Sequence, residues 1–173
     1  MATKPAPPRP VPRLYLATPV IDDPQSLLAS LPGLLATVDV AAVLLRLKQT
    51  DQRTMISRIK ALAPVIQDKG AALLIENHVE LVARAGADGA HLTGIAAMED
   101  ALPTLKPDRI AGVGGLATRH DSMAAGEAGA DFVLVGDFIW NDARGAGVAL
   151  KEAEQAIQRA HAATAVQAIA GQE

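Results

Sequence analysis

The sequence predicts an α/β protein in which parallel strands and helices alternate to form a (βα) barrel of TIM type. Short apolar runs alternate with segments whose apolar residues recur at helical spacing. The phrase Gly-Ala-Asp follows a helical pattern and precedes an apolar run twice, ending at Asp88 and at Asp131. The connections are short, which forces neighbouring strands to run parallel through right-handed crossovers.

The first elements can be justified one by one. Residues 14–18 form a β-type run closed by Pro19, and residues 22–37 carry leucines at helical spacing. Residues 40–47 are apolar on both faces, which is typical of a parallel strand buried between a barrel interior and outer helices. Residues 50–67 then predict a helix that ends at Lys69-Gly70.

The later elements repeat this pattern. Strands are predicted at residues 71–75, 90–92, 110–113 and 132–135, and helices at residues 79–85, 98–105, 119–128 and 146 to about 170, the last one long and Ala-rich. We expect one domain over residues 14–173, preceded by a proline-rich disordered arm at residues 1–13. An open doubly wound sheet is the alternative, but no G-x-G-x-x-G follows the first strand.

The two Gly-Ala-Asp turns are predicted to be structural. Their glycines suit the left-handed position after a helix, and Asp88 and Asp131 can bond the backbone where the next strand begins. In a barrel such turns lie opposite the active site. We therefore do not expect either aspartate to be catalytic.

Composition limits the partners. Lys and Arg number 16 against 19 Asp and Glu, the net charge is −3, and aromatic residues make up 2%, so a nucleic-acid partner is not expected. No apolar segment is long enough for a membrane span. Cysteine is absent, which excludes disulfides and thiolate chemistry and fits a reducing cytoplasm.

Candidate site residues follow the predicted strands, because ligands of parallel α/β proteins meet the carboxyl ends of the strands. Polar and glycine residues stand at these positions after each strand from the second onward: Arg46 and Lys48; Glu76, Asn77 and His78; His91; Gly114 and Gly115; Gly136 and Asp137. They are the residues that we expect to form the site.

Arg46 and Lys48 predict an anion site. They alternate with apolar neighbours, so both are expected on one side of the second strand, where unpaired burial of two cations would be costly. A bound phosphate would satisfy them. The alternative is a pair of salt bridges, to Glu76 and to a loop carboxylate.

Glycines after the fifth and sixth strands predict a phosphate cradle. Gly114 and Gly115 precede a predicted helix, whose first N–H groups would face an anion, and Gly136 would add a neighbouring donor. A plain tight turn is the alternative. Glu76 with Asn77 or Asp137 could offer oxygen ligands to magnesium, but no spacing makes that specific.

Two histidines are candidates for proton transfer. An imidazole titrates near neutral pH, so His78 or His91 could act as a general acid or base. His91 lies within an apolar strand, and a structural histidine whose ring points into the barrel is the alternative.

At these residues the chain resembles thiamine-phosphate synthase and the related TenI-type thiazole tautomerases. The resemblance runs through Leu-Tyr-Leu-Ala-Thr (14–18), Leu-Arg-Leu-Lys (45–48), Leu-Leu-Ile-Glu-Asn-His (73–78), Gly-Ala-Asp-Gly-Ala-His-Leu (86–92) and Gly-Ala-Asp-Phe (129–132). It implies a (βα)8 barrel that couples hydroxymethylpyrimidine pyrophosphate to a thiazole phosphate with Mg²⁺, releasing pyrophosphate.

Matched position by position, the resemblance places Arg46 and Lys48 at the Arg and Lys of the family's second strand. We expect these two residues and His91 to be catalytic. The family's Gln-x-Arg-x-Lys begins here with Leu44 instead of Gln. Its Asn-Asp-Arg reads Glu-Asn-His (76–78), and its Gly-Gln-x-Asp reads Thr-Gly-Ile-Ala (93–96), so both magnesium carboxylates are replaced. The pyrophosphate loop Thr-x-Thr-Lys is also absent.

These departures keep two other functions open. One is a TenI-like tautomerase that uses His91 or Glu76 for proton transfer without Mg²⁺, and the other is a non-catalytic module that binds a phosphorylated ligand. The family has eight strand–helix units, whereas six are predicted here. Because bare parallel sheet edges seldom persist, we expect a homo-oligomer.

Overall fold

A computed structural model of the chain describes residues 14–115, 143–148, 151 and 155. Within this part strands and helices alternate strictly, in the order β1 (Leu14–Ile21), α1 (Gln25–Leu35), β2 (Val40–Leu47), α2 (Gln52–Gln67), β3 (Ala72–Glu76), α3 (Val79–Ala85), β4 (Gly89–Thr93), α4 (Ile95–Leu105) and β5 (Ile110–Gly114). The five strands form one parallel sheet in the order β1-β2-β3-β4-β5. The predicted α/β architecture with parallel strands is confirmed.

Most predicted boundaries agree with the structure to within one to three residues. The β2 strand and α3 begin and end as predicted, whereas β1 extends beyond residue 18 to Ile21. A register shift between Ala17 and Val20 lets the chain pass through Pro19 and remain paired with β2. Proline occurs in sheets at such irregular positions because it donates no hydrogen bond to the ladder.

Several predicted segments lie outside the described residues. These are the arm at 1–13, the helix at 119–128, the strand at 132–135 and most of the final helix. The described residues 146–148, 151 and 155 of that helix are helical. Ala146 packs against the large hydrophobic cluster that contains α1.

The sheet buries apolar side chains on both faces. On the outer face, side chains of the β-strands pack against helices α1 to α4 in one large cluster. The inner face carries a smaller cluster, formed by Tyr15, Ala17, Ala42, Leu44 and Leu74. Burial on both faces explains why β2 reads as a continuous apolar run.

The sheet curves strongly enough to bring distant strands into contact. Tyr15 lies on β1 and His91 on β4, yet the Tyr15 hydroxyl lies 3.0 Å from His91 Nδ1. In a flat sheet these strands would be three spacings apart, or about 14 Å, which exceeds the reach of a tyrosine. The inner face is therefore concave, as the wall of a barrel is.

The first Gly-Ala-Asp turn has the structural role that the sequence predicts. Gly86 has φ 75° at the end of α3. The Asp88 carboxylate accepts hydrogen bonds from the backbone N–H of Leu73, at 2.7 Å, and from Gln67 Nε2, at 3.0 Å. Asp88 thus ties α2 to the start of β3. Asp131 lies outside the described residues.

Two further expectations concern membrane spans and oligomeric state. None of the helices in the described part of the chain is long and apolar enough to cross a membrane. The expected homo-oligomer stays a prediction.

Candidate functional site

The carboxyl ends of the strands bring predicted site residues onto the concave face. Glu76, the last residue of β3, pairs in register with His91 on β4, and His91 pairs with Gly112 on β5. On β2, Arg46 follows Leu45, the partner of Ile75, so it stands beside Glu76. Arg46, Glu76 and His91 therefore form one row across three neighbouring strands.

Arg46 and Glu76 form an ion pair in this row. Arg46 Nε lies 3.3 Å from Glu76 Oε1, and the two side chains are 29% and 31% exposed. The backbone N–H of Arg46 donates to the hydroxyl of Thr18, a fully buried residue in the irregular part of β1. The Arg46 backbone is thereby fixed, and its head group lies at the opening of the concave face.

Lys48 has a different set of partners. Lys48 directly follows β2, and its backbone N–H still donates to Ile21 of β1 at 2.8 Å. Its Nζ donates to Asp22 Oδ2 at 3.1 Å, and Arg58 on α2 donates to Asp22 Oδ1 at 2.9 Å. Hydrogen bonding from Lys48, followed by its charge and by Arg58, holds the pKa of Asp22 below its usual range.

The two predicted cations thus have different carboxylate partners. Arg46 pairs with Glu76, and Lys48 pairs with Asp22, a carboxylate of the loop after β1. This is the arrangement that the sequence offers as the alternative to a bound anion. Whether either cation also binds a ligand stays a prediction.

His91 is buried against Tyr15. The imidazole is 3% exposed, its ring centroid lies 5.6 Å from that of Tyr15 in an edge-on arrangement, and the Tyr15 hydroxyl meets Nδ1. Burial, and then the nearby charge of Arg46, lowers the pKa of His91 to about 4. Burial, and then the charge of Glu76, raises the pKa of Tyr15. Both groups are neutral near pH 7.

Gly112 makes room for this pair. A Cβ atom at Gly112 would lie 2.9 Å from His91 Nδ1 and 3.2 Å from the Tyr15 hydroxyl, closer than side chains pack. The Tyr15–His91 contact therefore requires glycine at this position of β5.

The residues after β3 point in different directions. Asn77 adopts a positive φ of 57°, is exposed, and donates its backbone N–H to the carbonyl of His91 at 2.9 Å. His78 Nδ1 lies 3.3 Å from Glu80 on α3. Of the predicted trio, only Glu76 is part of the row with Arg46 and His91.

The described half of the predicted phosphate cradle consists of Gly114, the last residue of β5, and Gly115. The carbonyl of Gly114 accepts from the N–H of Gly94 at 2.9 Å. Gly115 has φ 67°, and a Cβ there would lie 2.8 Å from the Thr93 methyl group, so this position requires glycine. Gly136 and Asp137, together with the helix whose N–H groups would complete the cradle, lie outside the described residues.

The carboxyl ends of the described strands do not fit a magnesium ion. Mg²⁺ prefers carboxylate oxygens. Glu76 is paired with Arg46, and Asp22 is paired with Lys48 and Arg58. Asn77 supplies an amide, and the Thr-Gly-Ile-Ala segment at 93–96 carries no carboxylate. Among the described residues no group of three His, Asp or Glu side chains converges as a metal site would require.

Sequence reasoning did not identify two residues of this region, Tyr15 and Asp22. Tyr15 is the chain's single tyrosine and lies in an apolar strand, so its hydroxyl needed a buried partner. Asp22 follows β1, at the same sheet edge as the predicted cations. The sequence predicted a loop carboxylate as a partner for these cations, and charge complementarity between strand ends is the signal that could have singled out Asp22.

Comparison with known proteins gives consistent matches. The family model described as thiamine monophosphate synthase matches residues 14–173. The chain is 37% identical to the thiamine-phosphate synthase of Rhodospirillum centenum over 128 residues, which cover 73% of this chain and 62% of that protein. It is 39% identical to that of Hyphomonas neptunium over 142 residues, covering 79% and 64%.

A structural likeness supports the fold. Thiamine phosphate pyrophosphorylase from Pyrococcus furiosus superposes with a TM-score of 0.56 at 22% identity, covering 69% of this chain and 57% of that one. The chain spans less than two thirds of the length of the two bacterial relatives named above. Because the family model covers nearly all of the sequence, the chain belongs to the thiamine monophosphate synthase family.

Proposed function

We propose that this chain forms thiamine phosphate by coupling hydroxymethylpyrimidine pyrophosphate to a thiazole phosphate. The observation that carries the proposal is the row of Arg46, Glu76 and His91 at the carboxyl ends of β2, β3 and β4, in a chain of this family. Ligands of parallel α/β folds bind at this edge.

In this reaction the thiazole nitrogen bonds to the methylene carbon of the pyrimidine, and the carbon–oxygen bond to pyrophosphate breaks. The electron pair leaves with pyrophosphate, so negative charge grows on its oxygens. Arg46 presents a guanidinium at the open side of the row, where it can bind these oxygens and stabilise that charge. Lys48, which is 67% exposed, is the second cation at this edge.

The residues beneath Arg46 shape the floor of the site. The buried, neutral pair of Tyr15 and His91 fills the concave face next to Arg46 and Glu76. His91 is thereby held in place beside Glu76. No step of this scheme is assigned to a metal ion, because the described residues do not fit one.

The test is incubation of the purified chain with both substrates and Mg²⁺, followed by chromatography for thiamine phosphate and an assay for pyrophosphate. We expect both products, and we expect Arg46→Ala to lower the rate on the order of a hundredfold, as removal of one charge-stabilising donor does. Arg84→Ala is the matched control, since Arg84 pairs with Gln52 on the outer helices. A folded protein that forms no thiamine phosphate contradicts the proposal.

A second candidate is favoured because residues 14–115 bring together no carboxylate set for Mg²⁺. In it the chain acts as a TenI-like thiazole tautomerase, with Glu76 moving a proton, or binds a phosphorylated thiazole without turnover. Turnover of a thiazole phosphate in the presence of EDTA would identify the tautomerase. Calorimetric binding of the same ligand without turnover would identify the binding module.

A further inference from the structure

The ion pair between Arg46 and Glu76 lies where an anionic ligand would reach the chain. The contact joins neighbouring strands, because Arg46 follows Leu45 and Glu76 follows Ile75, which pair in register. The two side chains are each about two-thirds buried, at 29% and 31% exposure. A charge pair in this environment is less screened by solvent and salt than a pair on the open surface.

The carboxylate changes what Arg46 offers to a ligand. The guanidinium and Glu76 together carry no net charge, so a phosphate approaching Arg46 also approaches a negative charge at close range. The phosphate and the Glu76 carboxylate, both close to the same guanidinium, repel each other strongly where water is partly excluded. Glu76 contacts the Nε side of the guanidinium, so an anion that takes the donors on that side must displace Glu76.

The surrounding layer limits where Glu76 can go. Tyr15 and His91 lie next to Glu76 on the concave face, and both are almost fully buried. The charge of Glu76 reaches Tyr15 and raises the pKa of its hydroxyl, after the larger effect of burial. The displaced carboxylate has its free path toward the solvent at the end of β3.

We propose that Glu76 is an affinity-determining residue, an internal counter-anion that competes with phosphate oxygens for Arg46. In this chain the competition weakens the binding of pyrophosphate groups and favours their release. The inference rests on the proposed function only in taking a phosphate group as the ligand of Arg46, and it requires no catalytic turnover.

The experiment measures binding of inorganic pyrophosphate by calorimetry, in EDTA, to the wild-type chain and to Glu76→Gln. The substitution keeps the size of the side chain and removes its charge. We expect Glu76→Gln to lower the Kd for pyrophosphate at least about tenfold. Thermal unfolding of both proteins checks that the fold is kept.

Two further variants isolate the mechanism. Glu80→Gln changes the net charge equally, but Glu80 lies on α3 beside His78, so we expect the wild-type Kd. In the Arg46→Gln background the gain in affinity from Glu76→Gln should disappear, because no guanidinium remains for Glu76 and pyrophosphate to compete for. Such a cycle measures the coupling between the two residues directly.

The inference is overturned if Glu76→Gln binds pyrophosphate no more tightly than the wild type or Glu80→Gln, or if the gain persists without Arg46. These results leave the proposed function intact, because they concern binding alone. Conversely, a chain that forms no thiamine phosphate can still show the tenfold gain, so the two proposals fail separately.

Discussion

The two ends of the parallel sheet satisfy their charged side chains in different ways. At the amino end, Asp88 accepts from the buried backbone of Leu73 and from Gln67, so its carboxylate is bonded to the framework of the fold. At the carboxyl end, Arg46 and Lys48 are paired with the side chains of Glu76 and Asp22. Bonds to backbone stabilise a fold, whereas pairs between side chains can be exchanged for a ligand.

This difference assigns stability to one end and chemistry to the other. The amino end of a barrel sheet is where structural interactions are expected, and the carboxyl end is where ligands bind. Three measurements of stability test the division.

His91 is the carboxyl-side residue that departs from this division, because it is buried and contributes to stability. Its pKa of about 4 in the folded chain lies below the ordinary value of 6.5, so between these pH values the unfolded chain binds more protons. Stability is then complete above pH 6.5 and falls as the pH drops, by about 3 kcal/mol at pH 4.

Urea unfolding of the wild type and of His91→Asn, measured from pH 7 to pH 4, checks this expectation. The wild type should lose about 3 kcal/mol more than the variant over that range. His78→Asn is the control, because His78 lies partly exposed beside Glu80, and it should behave as the wild type does. Parallel pH profiles for the wild type and His91→Asn would show that burial of His91 has no such effect.

The Asp88→Ala substitution tests the amino end. It leaves the N–H of Leu73, a fully buried residue, without its acceptor and also removes the bond from Gln67. An unsatisfied buried donor is costly, so we expect the free energy of unfolding to fall by about 2 kcal/mol, with pyrophosphate binding unchanged. Asp100→Ala, on the exposed side of α4, should change stability by less than about 0.5 kcal/mol.

A loss of pyrophosphate binding in Asp88→Ala, with the fold retained, would contradict the separation of the two ends. Asp88→Asn offers an intermediate, since its amide oxygen can still accept from Leu73. Its unfolding midpoint should lie between those of the wild type and the alanine variant.

Much of this arrangement could be predicted from the sequence, for physical reasons that differ between residues. The order of strands and helices follows from apolar periodicity, and the role of Asp88 follows from the chemistry of a helix-to-strand turn. The row of Arg46, Glu76 and His91 follows from the rule that parallel strands end together. Each of these inferences uses local sequence only.

The contacts that the sequence could not supply are those that depend on curvature and register. Tyr15 meets His91 because the sheet bends, which no run of residues in β1 or β4 encodes by itself. Lys48 was expected to share an anion with Arg46, whereas its side chain bonds to Asp22 in the loop after β1. That contact depends on where this loop lies beside β2, which local sequence does not encode.

The smallest effect is expected at the carboxyl end, for Lys48→Ala. Lys48 is 67% exposed, and its partner Asp22 is 59% exposed, so water and salt screen their attraction. Asp22 also keeps its bond from Arg58 when Lys48 is removed. We expect no measurable change in the urea midpoint, in contrast to Asp88→Ala measured in the same buffer.

This contrast is the sharpest check on the division, because Lys48 and Asp88 each join elements that are distant in sequence. If Lys48→Ala lowered the midpoint as much as Asp88→Ala does, the carboxyl end would be as firmly built as the amino end, and its cations would be structural. If only Asp88→Ala lowers it, the pairs at the carboxyl end are held loosely enough to be exchanged for ligand oxygens. Side chains that bind a ligand at the carboxyl end of the sheet must be able to give up their ion pairs in this way.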